Sequence, residues 1–289
     1  LASLPGDKSI TLATKDSTLE VKTNGARTIM KTLPLDEFPL IPMITDDLAF
    51  SLPAKDFAFG IRSVAYAASV GSMKPELASV FITYKDNDLV FVATDGFRLA
   101  EKRVKTKKIP HFKEMLIPQK NALEIARLFE KDNEDLSISI GENQAAFHKD
   151  DMYLATRIVE GTYPDYKQAI PQGASTKAVL LKKDLETALK TNMIFADAFN
   201  QLTFTLSPQG KQFDITSKNS NVGENVSSVD TALEGEDLSI SINHRYLVDS
   251  FQSIPTDSLS LSFSGANRAI VVEGIGDKSF LYLVMPMNR

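Results

Sequence analysis

Residues 117–140 read IPQKNALEIARLFEKDNEDLSISI and pass within one segment from a helical pattern to a strand pattern. Apolar residues recur three and four positions apart among Leu123, Ile125, Ala126, Leu128 and Phe129, which predicts an amphipathic helix. In the LSISI that follows, apolar residues alternate with serine, which predicts a half-buried strand. Residues 242–263 read INHRYLVDSFQSIPTDSLSLSF and repeat this passage in degenerate form. The chain therefore contains a repeated unit that combines helices and strands.

The repeated unit extends on both sides of this passage. Another helix-like segment begins at Leu52 in the first copy and at Leu180 in the second, and a further pair of strands follows each LSISI-like strand. Turn residues occur at 86–88, 141–143 and 208–210. Each full unit is thus predicted to run helix, strands, helix, strands.

The N-terminus carries the second half of the unit once more. Residues 8–42 resemble residues 136–166, and the pairs Phe38-Pro39 and Tyr163-Pro164 close the two copies. A sheet made from half of a unit has an unpaired edge and an uncovered apolar face. We therefore expect that most of one repeat is missing at the N-terminus.

Composition limits the possible classes of protein. The chain has 289 residues, 43% of them hydrophobic and 24% charged, which is enough for a sizeable core. It contains neither a signal-peptide pattern nor an apolar run of roughly 18 residues that could span a membrane. The absence of cysteine excludes disulfides and thiolate metal sites and fits a reducing cytoplasm. The net charge of −5 disfavours a nucleic-acid binder with an overall basic surface, so DNA contact would require cations gathered on one face.

No motif of a catalytic or metal site is visible. His111, His148 and His244 lack metal-ligand spacing, and we predict surface or capping roles for them in a loop, on the polar side of a strand and at a helix start. Nucleotide-binding and hydrolase signatures are also missing. The prediction is a protein without metal, cofactor or catalysis, and a hydrolase that uses His148 or His244 in a dispersed site is the alternative. The basic run at 102–108 is predicted to be a solvated strand end or loop.

Two segments stand apart from the repeat. Residues 93–100 read ATDGFRLA, in which Asp95-Gly96 predicts a turn between two strands and a loop that displays Phe97 and Leu99. Residues 282–289 read YLVMPMNR. The proline of this tail cannot continue a central strand, and its two methionines suit an adaptable apolar surface.

Together with the repeat and the YPDY sequence at 163–166, these segments resemble the bacterial DNA polymerase III beta subunit, the beta sliding clamp family. That family has A-T-D-G-x-R-L-A, F/Y-P-D-Y and V-M-P-M in the same order, and the resemblance covers essentially the whole chain. It implies an α+β fold of repeated clamp domains, each with antiparallel sheets outside and two helices facing the interior of a ring. Residues 1–46 would be the remnant of domain 1 in an N-terminally truncated chain, residues 47–167 domain 2 and residues 168–289 domain 3.

The resemblance further implies a non-catalytic, cytoplasmic processivity factor for DNA replication. Such a clamp encircles duplex DNA without sequence specificity and tethers the polymerase III catalytic subunit, the clamp loader, other polymerases and repair proteins through short linear motifs. The motifs would enter a hydrophobic cleft in which Arg98 or backbone groups at the rim fix their orientation. The cleft positions implied by the resemblance are Leu77, Thr94, Gly96, Phe97, Arg98, Leu99, Pro164, Ala169, Asn243, Tyr246, Val284, Met285, Pro286 and Met287.

DNA contact is expected from cations on the helices that line the ring. Topology rather than affinity would hold the protein on DNA, so weak phosphate contacts would permit sliding. The full-length chain is expected to form a head-to-tail homodimer and this shorter chain a monomer. A stand-alone peptide-binding scaffold without ring closure is the second alternative. The candidate cations are Lys55, Arg62, Lys120, Arg127, Lys131, Lys182, Lys183, Lys190 and Arg245.

Overall fold

The computed structural model describes residues 9–34, 43–44, 49–71 and 73–287. The chain divides into two compact units, Leu1–Met43 and Ile44–Arg289. Among the described residues, every helix is too short or too polar to cross a membrane.

The N-terminal unit contains a three-stranded antiparallel sheet in the order β1-β2-β3. Leu12 pairs with Val21, and Leu19 pairs with Met30, so these side chains share one face of the sheet. On this face Leu12 is 59% and Met30 45% exposed, whereas Val21 is 5% exposed. The predicted closing pair Phe38-Pro39 lies outside the described residues. The strands are β1 (Thr11–Lys15), β2 (Thr18–Lys22) and β3 (Arg27–Lys31).

The C-terminal unit contains four helices and seventeen strands within the described residues. The helices are α1 (Ala54–Val64), α2 (Gln119–Phe129), α3 (Lys182–Met193) and α4 (His244–Ser250). The strands of its first half are β4 (Ala49–Pro53), β5 (Ser79–Lys85), β6 (Asp88–Thr94), β7 (Arg98–Lys105), β8 (Met115–Pro118), β9 (Asp135–Ile140), β10 (Gln144–Lys149) and β11 (Met152–Arg157). Those of its second half are β12 (Thr176–Leu181), β13 (Gln201–Ser207), β14 (Gln212–Asn219), β15 (Gly223–Ser228), β16 (Thr231–Gly235), β17 (Leu238–Asn243), β18 (Ser258–Phe263), β19 (Ile270–Gly274) and β20 (Phe280–Val284).

The predicted α+β repeat is confirmed by the order of these elements. The first half runs β4, α1, strands β5–β8, α2 and strands β9–β11, and the second runs β12, α3, strands β13–β17, α4 and strands β18–β20. The turn residues predicted at 86–88 join β5 to β6, with Asp86 and Asn87 at φ 55° and 61°. Such positive angles suit a tight hairpin, and asparagine and aspartate tolerate them well.

One sheet runs through both halves of this unit. Its nine strands follow the order β16-β12-β18-β19-β20-β7-β6-β5-β8, and two four-stranded sheets complete the unit. The two halves join where β20 pairs with β7 in antiparallel register, with Tyr282 opposite Ala100 and Leu283 opposite Leu99. The sequence patterns do not predict this pairing, because they locate strands without naming their partners.

The two faces of the nine-stranded sheet are covered by different parts of the chain. On the helix side, the large core includes Phe57 of α1 and Phe91 of β6, whose rings are 5.4 Å apart. On the other side, a smaller core contains Leu99 and Leu283 and is covered by the connecting segment from Ile158 to Ile170. Strand alternation therefore directs neighbouring residues of β7 and β20 to opposite faces.

The helices of the C-terminal unit form a row. Helix α1 contacts α2 and also the 3₁₀ turn at residues 251–253, which follows directly on α4. Helix α4 in turn contacts α3. At the centre of the row, the Ser253 hydroxyl donates a 3.0 Å hydrogen bond to the carbonyl oxygen of Ser63 on α1. The row therefore joins the two halves on the helix side.

Burial corrects the expected face of α2. Leu123 and Leu128 belong to the predicted apolar stripe but are 42% and 46% exposed. The buried face consists of Ala122, Ile125, Ala126 and Phe129. The buried face of α2 is thus narrower than the apolar face that the sequence predicts, because α2 contacts its neighbours along one side only.

The prediction of a solvated basic run at 102–108 is wrong at Lys102. Strand β7 continues to Lys105, and Lys102 is only 5% exposed. Its ammonium group donates a 2.7 Å hydrogen bond to the Ser279 hydroxyl and lies 4.8 Å from the centre of the Phe59 ring. Burial lowers the pKa of Lys102, while the nearby Asp277 carboxylate opposes that change. This side chain connects β7 to the turn before β20.

Candidate functional site

The ATDGFRLA segment forms a tight turn between β6 and β7. One carboxylate oxygen of Asp95 accepts the backbone N–H groups of Phe97 and Arg98 at 2.9 and 3.0 Å. Gly96 adopts φ 90°, a conformation that side-chain-bearing residues rarely reach. The turn leaves the Phe97 side chain 62% exposed. The local sequence thus folds so that one aromatic ring faces solvent.

The C-terminal tail lies against this turn. Strand β20 ends at Val284, and the N–H of Met285 donates a 2.8 Å hydrogen bond to the carbonyl oxygen of Phe97. The N–H of Met287 donates a second 2.8 Å bond to the carbonyl oxygen of Ser241, on β17. Because Pro286 between them has no N–H, the tail leaves the sheet here and passes across its end.

Two adjacent depressions flank Met285. The first has a volume of about 390 Å³ and an apolar lining, and the second about 500 Å³. Met285 lines both, so the two depressions adjoin at this residue and are together called the cleft. The first is lined by Phe97, Asn243, Tyr246, Met285, Pro286 and Met287, and the second by Gln168, Ala169, Ile170, Pro171, Gln172, Ser264, Asn267, Arg268, Ala269 and Met285.

The structure brings together half of the fourteen predicted cleft residues as lining. These are Phe97, Ala169, Asn243, Tyr246, Met285, Pro286 and Met287. Gly96 shapes the turn, Pro164 is exposed beside buried Tyr163, and Leu77 packs on the smaller core. The Thr94 hydroxyl is used within the turn, where it donates a 2.6 Å bond to the carbonyl oxygen of Arg98.

The expectation that Leu99 is displayed and that Val284 lines the cleft is corrected by their burial. Leu99 is 4% exposed and Val284 is fully buried. Both lie on paired strands, where alternation turns their side chains into the two cores of the sheet. They support the cleft from beneath.

Arg98 is not a free donor at the rim. Its guanidinium group bonds to Asp95 at 3.0 Å and to Asp249 of α4 at 2.5 Å, and it lies 4.7 Å from the centre of the Tyr246 ring. The side chain of Arg98 is 12% exposed. The Tyr282 hydroxyl donates a 2.6 Å bond to the carbonyl oxygen of Tyr246 from below. Arg98 therefore holds the Tyr246 wall of the cleft.

Asp249 and the walls of the second depression were missed by sequence reasoning. Asp249 lies 151 residues from Arg98 along the chain, and no local motif marks it. The walls are the connecting segment at 168–172 and the loop at 264–269, and neither has a repeating pattern. Only the strand signals on either side of these segments could have indicated that they lie together.

The nine predicted DNA-facing cations all lie on or directly after the four helices. Eight are exposed, whereas Lys182 is half-buried and donates a 2.7 Å bond to the carbonyl oxygen of Ile254. Three have carboxylate partners, since Arg62 pairs with Glu130, Arg127 with Glu124 at 2.8 Å and Lys190 with Glu186 at 4.0 Å.

Three of these cations share a depression on the helix row. Lys55, Arg62 and Lys131 line a cavity of about 460 Å³ together with Phe59, Ser63, Glu130, Gln252 and Ser253. Two hydroxyl groups, one amide and one carboxylate also face it. Such a mixture suits weak, solvent-mediated contact with an anion better than a tight site.

The histidines do not form a common site. His244 begins α4 as predicted but is 2% exposed, which excludes the surface alternative of its predicted surface or capping role. Its Nδ1 lies 3.1 Å from the carbonyl oxygen of Asn200, and burial lowers its pKa. His148 packs edge-on against Tyr153, with ring centres 4.5 Å apart. Within the described residues, no group of three or more histidines and carboxylates is arranged to hold a metal.

Two family models match most of the chain. Residues 51–165 match the DNA polymerase III beta subunit, central domain, and residues 167–288 match the C-terminal domain of the same subunit. The domain boundaries at 46/47 and 167/168 stay predictions, and the continuous nine-stranded sheet gives no division near 167/168.

Similar proteins carry the same family name. The beta sliding clamp of Synechocystis sp. is 29% identical over 98% of this chain and 74% of the relative, and that of Synechococcus elongatus is 26% identical over 100% and 78%. The crystal structure of the DNA polymerase III subunit beta from Pseudomonas aeruginosa aligns with a TM-score of 0.91 at 25% identity, over 100% of this chain and 79% of that one. The Bacillus subtilis sliding clamp has the same fold, with a TM-score of 0.92, 24% identity and coverage of 100% and 77%. The chain belongs to the DNA polymerase III beta subunit family, the beta sliding clamps.

Proposed function

We propose that this protein is a cytoplasmic sliding clamp that surrounds duplex DNA and holds partner proteins on it through the cleft beside Met285. It is a processivity factor and not an enzyme, in keeping with its family. The partners we propose are the polymerase III catalytic subunit, the clamp loader, other polymerases and repair proteins. Each would present a short linear motif.

The observation that supports this proposal most is the preformed apolar cleft. Exposed Phe97 and Met285 sit beside Tyr246, and the backbone around them is fixed by hydrogen bonds from the tail to the turn and to β17. Burial of one large apolar side chain contributes about 1.5–3 kcal/mol. Two such side chains in an extended peptide would therefore favour binding, and no free energy would be lost in ordering the cleft.

The helix row supports the DNA part of the proposal. The exposed cations lie on helices that form one row, while the protein as a whole carries a charge of −5. An acidic protein with cations on one face does not bind DNA tightly, but weak phosphate contacts suit a clamp that must slide.

Ring closure would use the edge of β15 that pairs with no other strand among the described residues. In the first half, the strand order β8-β5-β6-β7 ends at β7. In the second half, the corresponding order β17-β13-β14-β15 ends at β15. Strand β7 is extended by β20, the last strand of the following half. We propose that the corresponding last strand of a first domain in a second copy extends β15, which gives a head-to-tail homodimer.

Peptide capture is tested by Met285→Ala. A short fluorescent peptide with two adjacent leucines is titrated with the protein, and the substitution is expected to weaken binding at least about tenfold, because loss of a central contact typically costs about 2 kcal/mol or more. Met152→Ala is the matched control, since Met152 on β11 is 45% exposed, against 37% for Met285. Equal affinities of the wild-type protein and Met285→Ala would refute the assignment of the cleft.

A further inference from the structure

The second depression of the cleft carries a single charged side chain. Of its lining residues, Gln168, Gln172, Ser264 and Asn267 are polar and neutral, and only Arg268 is charged. Arg268 is exposed, and among the described residues no carboxylate lies within ion-pair distance of its guanidinium. The depression therefore has a net positive charge that the described part of the chain does not neutralise.

Arg268 differs in this respect from Arg98, the other arginine near the cleft. The Arg98 side chain is only 12% exposed and its charge is paired with two carboxylates, so it is poorly accessible to a ligand. A guanidinium group has five N–H donors in a planar fork that matches a carboxylate. Arg268 is thus the arginine of the cleft that can accept an anionic partner.

The position of Arg268 is fixed by the loop that carries it. Gly265 adopts φ 116°, and the N–H of Arg268 donates a 3.3 Å hydrogen bond to the carbonyl oxygen of Gly265, which closes the turn. The Ser264 hydroxyl donates a 2.6 Å bond to the carbonyl oxygen of Gly173 in the opposite wall. The two walls are therefore joined at one end, and Arg268 stands at the rim of a preformed depression.

The facing wall adds a second donor for the same ligand. Gln172 is exposed and makes no side-chain hydrogen bond within the described residues, whereas the Gln168 amide already donates to Asp165 at 3.1 Å. Arg268 and Gln172 can therefore both turn toward an anion in the depression. The apolar groups nearby, Ile170 and Met285, suit a side chain adjacent to that anion.

We propose that Arg268 makes the cleft selective for peptides that carry a carboxylate next to their apolar residues. The inference deepens the proposed function and rests on it, since it names the class of motif that this cleft prefers. The carboxylate comes from an aspartate or glutamate side chain or from the free C-terminus of the peptide. In both cases it meets Arg268 while the apolar residues fill the cleft around Met285.

The test uses fluorescent peptides with two adjacent leucines in a glycine and serine background. In one series an aspartate or an asparagine lies next to the leucines, and in a second series the leucines end the peptide with a free or an amidated C-terminus. Binding is measured by fluorescence anisotropy at low salt and at high salt. We expect the carboxylate peptides of at least one series to bind about threefold more tightly than their neutral partners, in the range of an exposed ion pair, and to lose this advantage at high salt.

Charge reversal supplies the decisive comparison. Arg268→Glu is expected to weaken the carboxylate peptide about tenfold and to leave the neutral peptide within about twofold, while a lysine in place of the aspartate restores binding to this variant. Lys108→Glu is the control for net charge, since Lys108 is an exposed loop residue outside the cleft.

The outcomes separate this inference from the proposed function. If Arg268→Glu weakens acidic and neutral peptides equally, or if the wild-type protein does not distinguish them in either series, the role of Arg268 is refuted while peptide capture stands. If none of the peptides binds the wild-type protein, both fail. The two series show which source of carboxylate the cleft prefers.

Discussion

At the scale of single residues, Arg98 shows how the cleft depends on groups that do not line it. Its guanidinium joins a turn residue, Asp95, to a helix residue, Asp249, and supports the Tyr246 ring. Neither carboxylate is fully buried, and Asp249 is 43% exposed, so solvent weakens both ion pairs. Arg98 also lies against the Tyr246 ring, where it can hold that ring in place.

Arg98→Met is expected to lower both stability and peptide affinity. Hydrogen bonds to charged groups contribute about 1.5–3 kcal/mol, and partial exposure reduces this, so we expect a loss of about 1–2 kcal/mol in the free energy of unfolding. Urea denaturation measures this loss, and anisotropy with a dileucine peptide measures the affinity. Arg157→Met, at an exposed position on β11, is the control. Unchanged peptide affinity in Arg98→Met would show that Tyr246 does not need this support.

His244 gives the fold a pH dependence. Its Nε2 is buried without a hydrogen-bond partner among the described residues, and burial lowers its pKa below the ordinary 6.5. The unfolded chain therefore takes up this proton at a higher pH than the folded protein does. The stability contributed by neutral His244 is present above about pH 6.5 and is lost as the pH falls from there toward the folded-state pKa.

His244→Gln is expected to remove this dependence. In the wild-type protein, the free energy of unfolding should fall by up to about 1.4 kcal/mol per pH unit below pH 6.5, because one proton binds preferentially to the unfolded chain. The variant should show a flatter profile than the wild-type protein between about pH 7 and 5.5. Parallel profiles for wild type and His244→Gln, measured by urea denaturation, would contradict the assignment.

At the scale of elements, α1 packs unusually close to the nine-stranded sheet. A methyl group added to Gly60 in the middle of α1 would overlap the Phe91 ring on β6. Glycine normally weakens a helix by about 0.5–1 kcal/mol relative to alanine. The close approach of helix and strand therefore explains why glycine is required here in spite of its conformational cost.

Gly60→Ala is thus expected to destabilise the protein although it raises helix propensity. Overpacking of a core usually costs about 1–3 kcal/mol, which exceeds the gain in propensity. Gly141→Ala is the control, since a methyl group there meets nothing closer than 3.5 Å. Thermal unfolding followed by circular dichroism gives both values. A higher melting temperature for Gly60→Ala would show that the Phe91 ring moves aside freely.

Elements were the part of this fold most accessible from sequence. Periodicity placed α2, β9, α4 and β18, because half-buried helices and strands impose their own spacing on apolar residues. It did not place the β20–β7 pairing, the burial of His244 and Lys102 or the bond from Arg98 to Asp249. Each of these depends on which distant segments meet, and that choice is made by packing of the whole unit and not by local pattern.

The candidate site was accessible only in part for the same reason. The motifs predicted the turn at Phe97 and the tail at Met285, both of which lie at the cleft. They also included Leu99 and Val284, because a motif is a continuous stretch of sequence. In a strand, however, alternate side chains point to opposite faces, so these two side chains lie in the cores of the sheet. The Arg268 loop belongs to no motif, and only the depression it lines indicates its role.

At the scale of the whole molecule, the C-terminal unit carries two surfaces, the cleft and the helix row. The cleft lies at the junction of the two halves, where β20 meets β7, and the helix row carries the exposed cations. Helix α4 contributes to both, since Tyr246 lines the cleft and the turn directly after the helix lines the depression on the row. A partner bound in the cleft would therefore be held at a fixed place relative to the helix row.

The most direct test of the central claim follows protein and peptide together on circular DNA. The protein, in the full-length form for which ring closure is expected, is assembled on a nicked plasmid with clamp loader and ATP, and a fluorescent dileucine peptide is added. The DNA is isolated by gel filtration before and after cutting with one restriction enzyme. We predict that protein and peptide elute with the circle and that both are lost when the DNA is linear, because the free ends allow the ring to slide off. Retention of protein and peptide on linear DNA with free ends would contradict the account.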